Sequence, residues 1–208
     1  YLIMGLNDYF DKIYCINLDK RTDRWKESTD EFKKWGVSGV TRYSAVDGSL
    51  LKINTNLLAG EIGVLKTHIG ILSEAIDNEY GSILLIEDDI MFTDKILSLD
   101  KHMSLLPTKW DMIYFGGNHN IHMGQKVDVV TDGLIKLHTT YGLQCIAIHN
   151  RVFKVLLNSI INLGKPVDVY YADIQKTNNC FGFYPSIAYQ RPGFSDIQGM
   201  NTDNRWVM

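Results

Sequence analysis

The residues best placed to do chemistry are three consecutive carboxylates, Glu87-Asp88-Asp89, which end the apolar run Ser82-Ile83-Leu84-Leu85-Ile86. Adjacent acids repel one another unless a cation, a base or water relieves them. Oxygen ligands gathered at one point suit a hard divalent ion: Mg2+ or Mn2+ takes one or two carboxylates from a protein and the rest from water and phosphate. The competing reading is a solvated acidic loop after a core strand. Asn17, Arg21 and Arg24 follow an earlier strand-like run, and Asp47-Gly48 follows another. Arginines offer forked donors to phosphate, Asp47 can accept from ribose hydroxyls, and Gly48 lets backbone approach a base closely. As a plain turn and a charged helix start, the same residues need no ligand.

Other groups stand alone. His68 flanks a helical stripe, as a packing residue or as a ligand, and Lys66 on another face meets phosphate or only water. The histidines at 102, 119, 122, 138 and 149 have no metal-site spacing. Asp168, Asp173 and Asp196 are isolated acids, any of which is a candidate general base if it reaches an acceptor hydroxyl while ionised. Asp168, just after Pro166, is equally well placed to cap a helix.

The elements that must carry these groups follow from periodicity. Ile83 to Ile86 reads as a short strand buried on both faces, with the acids at its carboxyl end, where open α/β sheets bind ligands. Lys12 to Leu18 and Val40 to Val46 read as strands, separated by a helix capped by Thr22, carrying Trp25, Thr29, Phe32 and Trp35 on one face and stopped by Gly36. Ile62, Leu65, Ile69, Leu72 and Ile76 form the clearest helical stripe, from Gly60 to Glu79, with Gly81 as its stop. Thr93 to Leu106 reads as a helix broken by Pro107, and Trp110 to Phe115 as a strand. Val127 to Val130 and Leu134 to Leu137 form a hairpin through Thr131-Asp132-Gly133, and Leu143 to Ile148 is a further strand. Asn150 caps another helix, Asp168 a shorter one through Thr177, and Cys180 to Phe183 and Ile187 to Tyr189 are strands. The tail from Arg191 is irregular. This order predicts a three-layer α/β domain with a mixed central sheet.

At 208 residues, 45% hydrophobic and 22% charged, the chain has the size of one domain with a sizeable core. A net charge of −3 supplies no basic field for a nucleic-acid backbone. Cys15 and Cys145 lie inside apolar runs as small core residues, and neither disulfides nor a zinc site are expected. No apolar run is long enough to span a membrane, and Tyr1-Leu2-Ile3-Met4 is too short for a signal peptide. The opening on Tyr1 is compatible with a domain over residues 1–208 excised from a longer polypeptide. Nothing in the residues fixes compartment or oligomeric state.

Taken together, Ile16 to Arg24, Ala45-Val46-Asp47-Gly48, Gly60-Glu61-Ile62-Gly63 with His68, and Leu85-Ile86-Glu87-Asp88-Asp89 resemble glycosyltransferase family 25, which includes lipooligosaccharide and collagen galactosyltransferases. Pro166-Val167-Asp168, Tyr184 to Gln190 and Ser195-Asp196-Ile197 resemble its later motifs in order, so the resemblance runs from about Lys12 to Ile197. It implies a GT-A fold, Rossmann-like, and an inverting, Mn2+- or Mg2+-dependent transferase moving galactose or glucose from a UDP-sugar to a glycan or glycoprotein hydroxyl. Carried over by position, Glu87 and Asp89 flank a DxD-like motif with Asp89 as main metal ligand, Asp196 adds a metal contact, and Asp88 orients ribose or sugar. Asn17, Leu18, Arg21, Arg24, Val46, Asp47 and Gly48 then line the UDP pocket, with Lys66 and His68 approaching the donor. Asp168 matches the Pro-Val-Asp position of the base, with Asp173 behind it. Leu65-Lys66-Thr67 and Tyr141-Gly142-Leu143-Gln144 depart from the family pattern, which bears on the donor sugar more than on the fold.

Two other readings compete. A domain of the same fold can bind sugar nucleotide or glycan without turnover. A phosphoacceptor receiver domain would use Asp132 and Lys165, but too few residues separate them for two further βα units.

Overall fold

The computed structural model describes residues 5–119, 121, 124 and 127–203. Tyr1 to Met4 and His122, both considered above, lie outside the described residues.

The chain opens with β1 (Lys12–Asn17), α1 (Thr22–Trp35), β2 (Val40–Ser44), α2 (Ala59–Asp77) and β3 (Ser82–Glu87). It continues through β4 (Ile90–Phe92), α3 (Leu99–Met103), β5 (Met112–Asn118), β6 (Asp128–Thr131), β7 (Leu134–Lys136) and β8 (Tyr141–His149). The remainder is α4 (Asn150–Ile160), α5 (Val167–Gln175), β9 (Cys180–Phe183), β10 (Ala188–Gln190), β11 (Gly193–Ser195) and β12 (Met200–Thr202).

Eight strands form one mixed sheet in the order β2-β1-β3-β8-β5-β9-β7-β6. β1 runs parallel to β2 and β3, whereas β8 is antiparallel to both β3 and β5. Side chains of β3 alternate between two cores, as the period of a strand requires. Ile83 and Leu85 join α2, α4 and α5 on one face, and Leu84 and Ile86 join Phe32 of α1, Phe92 and Phe115 on the other. Each such fully buried side chain contributes about 1.5–3 kcal/mol relative to exposure. Helices on both faces of a mixed sheet make the expected three-layer, Rossmann-like α/β architecture. Cys15, Cys145 and Cys180 are buried as free thiols within it. No helix among the described residues is long and apolar enough to cross a membrane.

Several boundaries differ from the sequence expectation, for local reasons. Arg21, not Thr22, is the cap of α1, with φ −96° and ψ 57°. α4 is capped by His149 rather than Asn150, its ring accepting from the Arg151 amide at 3.3 Å. Pro166 takes the cap position of α5, so Asp168 lies inside the first turn and does not cap it. The stop of α2 falls at Asn78, before Glu79 at φ 55°, not at Gly81. The segment read as a helix over Thr93 to Leu106 is a 3-10 turn, Asp94–Ser98, followed by the short α3. Ser98 donates its hydroxyl to the Lys95 carbonyl at 3.1 Å, a local bond of the kind that competes with helical pairing. The tail is not wholly irregular, because β11 and β12 pair as a small antiparallel hairpin. Asp132, the acid of the receiver reading, sits in the β6–β7 turn at the far edge of the sheet from β3, which removes that alternative.

Candidate functional site

From β1 the chain crosses through α1 to β2 on one side, and from β2 through α2 to β3 on the other. The carboxyl ends of β1 and β3 therefore flank a topological switch point, where open α/β sheets hold ligands. Asn17 ends β1 and spans that crevice: its Nδ2 donates to Asp88 Oδ2 at 2.6 Å and to the Arg21 carbonyl at 3.0 Å. Its Oδ1 accepts from Arg42 Nε at 2.8 Å, so the side chain is a strut between strands.

The three acids have different surroundings. Asp88 is saturated by Asn17 and by Arg24 Nη1 at 2.8 Å, while its carbonyl accepts from Ser28 Oγ at 2.7 Å. Asp89 Oδ2 accepts from Gln190 Nε2 at 3.0 Å and Arg24 Nη1 at 3.2 Å, but its Oδ1 is buried with no partner among the described residues. A buried acceptor left without a partner is costly, and such a group calls for an explanation. Burial, with the charges of Asp89 and Asp88 beside it, pushes the Glu87 carboxyl up to about 8. Asp89 is raised in the same direction by burial, against the pull of Arg24.

A cavity opens on these groups, walled by Leu18, Lys20, Arg24, Val46, Asp47, Gly48, His68, Glu87, Asp88, Asp89 and Asp196 among others. Asp47 pairs with Lys20 Nζ at 2.6 Å and accepts from the Ser49 amide at 3.0 Å, which holds it down at about 2. The Asp47-Gly48 turn packs tightly on α2: a Cβ on Gly48 would fall 1.7 Å from the Ala59 carbonyl, and one on Gly63 2.5 Å from that of Val46. Thr67 Oγ1 closes the same contact by accepting from the Val46 amide at 2.9 Å. His68 is buried, its Nδ1 2.9 Å from the Tyr171 hydroxyl, and burial lowers it to about 4, so it faces the cavity neutral.

A second cavity meets the first at Val64, Glu87, Gln190, Ser195 and Ile197. Asp168 lines it, raised above the usual carboxylate range by burial, with the Gly142 amide 3.5 Å from its Oδ2.

Several anticipated residues stand elsewhere. Asn17, Arg21 and Lys66 line neither cavity; Arg21 is turned to Asp23 and Asp196. Asp173 is also outside both, paired with Lys165 and Lys176 and held down at about 2. Asp196 lies on the first cavity wall with Glu87 and Asp89, yet no three His, Cys, Asp or Glu side chains among the described residues form a ready-made metal cluster. Tyr114 and Tyr171 are fully buried core residues. Lys20, Gln190 and Gln144 were not singled out as site residues, although all three sit inside quoted segments, and Asn118 of the second cavity was not named at all.

No protein-family model matches the chain. Procollagen galactosyltransferase 2 of Homo sapiens is 29% identical over 130 residues, 51% of this chain and 21% of that protein. Procollagen galactosyltransferase 1 of Danio rerio is 26% identical over 130 residues, with 51% and 21% covered. A glycosyltransferase 25 family member of Drosophila pseudoobscura pseudoobscura is 27% identical over 130 residues, with 51% and 20% covered. The matched stretch thus spans about a fifth of the length of these curated relatives. Among solved structures, A197 from STIV aligns at a TM-score of 0.48 and 13% identity, covering 86% of this chain and 83% of that one. A glycosyltransferase involved in glycosylation of the major capsid of PBCV-1 aligns at 0.40 and 9%, covering 71% and 65%. Over about half of its length, this chain is similar to the proteins of the family that its motifs resemble.

Proposed function

We propose that this domain is a UDP-sugar-dependent hexosyltransferase, inverting and metal-assisted, that passes galactose or glucose to a hydroxyl of a glycan or glycoprotein. The observation that carries the reading is the pair of joined cavities at the switch point, one bearing cations and acids, the other bearing Asp168. Similarity to proteins named procollagen galactosyltransferase supports the same chemistry.

In this reading Lys20 and Arg24 meet the diphosphate, and Asp47 with the backbone of Val46 and Gly48 receives the nucleoside. The unpartnered Oδ1 of Asp89 fits a divalent ion, with Glu87 and Asp196 on the same wall as its other candidate ligands. Such an ion supplies positive charge against the leaving diphosphate. Asp168 takes the proton of the acceptor hydroxyl while that oxygen attacks the anomeric carbon. The bond from that carbon to the diphosphate oxygen breaks, and UDP leaves with the electron pair. One displacement inverts the centre without a covalent enzyme intermediate.

The Arg24 guanidinium already neutralises Asp88 and Asp89, which favours one second reading: a sugar-nucleotide-binding domain without turnover. UDP release from UDP-galactose, UDP-glucose and UDP-N-acetylglucosamine, with Mn2+ and with EDTA, separates the two. Metal-dependent release from at least one donor is expected; binding without release from any donor would favour the second reading.

A further inference from the structure

Among the described residues that line the second cavity, of about 400 Å3, none is a lysine, arginine or histidine. Those residues set no positive charge against a phosphate, in contrast to the Lys20 and Arg24 wall next door. Its polar lining includes the amides Asn118, Gln144 and Gln190, which can both donate to and accept from hydroxyls, as a neutral polyol requires.

Gln144 is the most constrained of these. It interrupts an otherwise apolar strand, is 4% exposed, and donates from Nε2 to Asn118 Oδ1 at 2.9 Å. Its Oε1 is buried with no partner among the described residues. The carboxamide lies against Gly142, where a Cβ would come within 2.8 Å of Oε1 and 3.0 Å of Nε2. Gly142 also has φ +73°, a backbone conformation that side chains rarely adopt. The same residue presents its amide to Asp168. One glycine thus seats an amide with an unspent acceptor beside the candidate base, and an unmet acceptor in a native fold calls for a partner.

We propose that the second cavity seats the hexose of the sugar nucleotide, and that Gln144, held by Asn118 and Gly142, is its specificity-determining residue, pairing with a sugar hydroxyl. This rests on the nucleotide-sugar reading of the first cavity. The two cavities share Glu87 and Gln190, so a sugar linked to a diphosphate in one reaches into the other.

Calorimetric titration of the chain with UDP, UDP-galactose and UDP-glucose, in the presence of Mn2+, tests it without relying on turnover. Gln144→Met should weaken the better-bound UDP-hexose about tenfold, the scale of one lost hydrogen bond in a closed site, and leave UDP within about twofold. Asn118→Ala, which unseats the carboxamide without removing it, should give the same split at smaller size. Unchanged UDP-hexose affinity in both folded variants, or equal weakening of UDP and UDP-hexose, would overturn the assignment while the nucleotide reading stands. Wild-type chain that binds none of the three would overturn the nucleotide reading, and the subsite with it.

Discussion

Arg24 Nη1 lies 2.8 Å from Asp88 Oδ1, and this contact divides the work among three adjacent acids. With Asn17 on its other oxygen, Asp88 is spent on joining α1 and β1 to the end of β3. Asp89, one residue on, keeps an oxygen that no described residue meets. The acidic run therefore places one carboxylate tied into the fold beside one that is only half met.

Removing the structural member should cost stability. Asp88→Ala removes one of the two acceptors of the Asn17 amide and the nearer acceptor of Arg24 Nη1, and is expected to lower the unfolding free energy by about 2–3 kcal/mol. Urea denaturation reads this directly. A loss under about 0.5 kcal/mol would mean that the pair is only decorative.

Glu87 makes a pH-dependent contribution. Its folded-state carboxyl stands at about 8 against an ordinary 4.5, so between those values the folded protein keeps a proton that the unfolded chain has lost. Stability from this group is therefore lost as pH rises through that window. Glu87→Gln should raise Tm at about pH 9 and change it little at about pH 5. The same Tm difference at both pH values would rule this out.

Asp168→Asn tests the base. Turnover should fall by about 10²–10⁴-fold while UDP affinity holds, as removal of a general base requires. Because burial raises the Asp168 carboxyl, wild-type turnover should decline as pH drops through a point above the usual carboxylate range. Weaker UDP binding in the variant would place Asp168 in the nucleotide site instead.

The clasp between the Asp47-Gly48 turn and α2 leaves no room for a methyl group. Gly48→Ala should destabilise by about 1–3 kcal/mol or more. Gly193→Ala, where the added Cβ meets nothing within 4 Å, is the control and should stay within about 0.5 kcal/mol. Thermal melts of the two that coincide would refute the close approach.

Much of this arrangement was legible in the residues. The apolar run of β3 and its abrupt acids placed those acids at the carboxyl edge of the sheet, and the α2 stripe placed His68 against the core. Asn17 was found for its position, but its bonds to Asp88 and Arg42 depend on β1 lying between β2 and β3, which no local pattern encodes. Arg21 likewise looked like a phosphate donor until the tail hairpin brought Asp196 to it. The second cavity was invisible because Asn118 and Gln144 come from separate strands whose register is shifted by a β-bulge. A glutamine inside an apolar strand was the one available signal.

In the proposed function a divalent ion grips the sugar nucleotide through Asp89. UDP release from a UDP-hexose, with Mn2+ and with EDTA, should be metal-dependent in the wild-type chain. It should be lost in Asp89→Ala and kept in Asp94→Ala, whose side chain is exposed and lines neither cavity. Release that survives in Asp89→Ala, or that EDTA leaves untouched, would contradict the account.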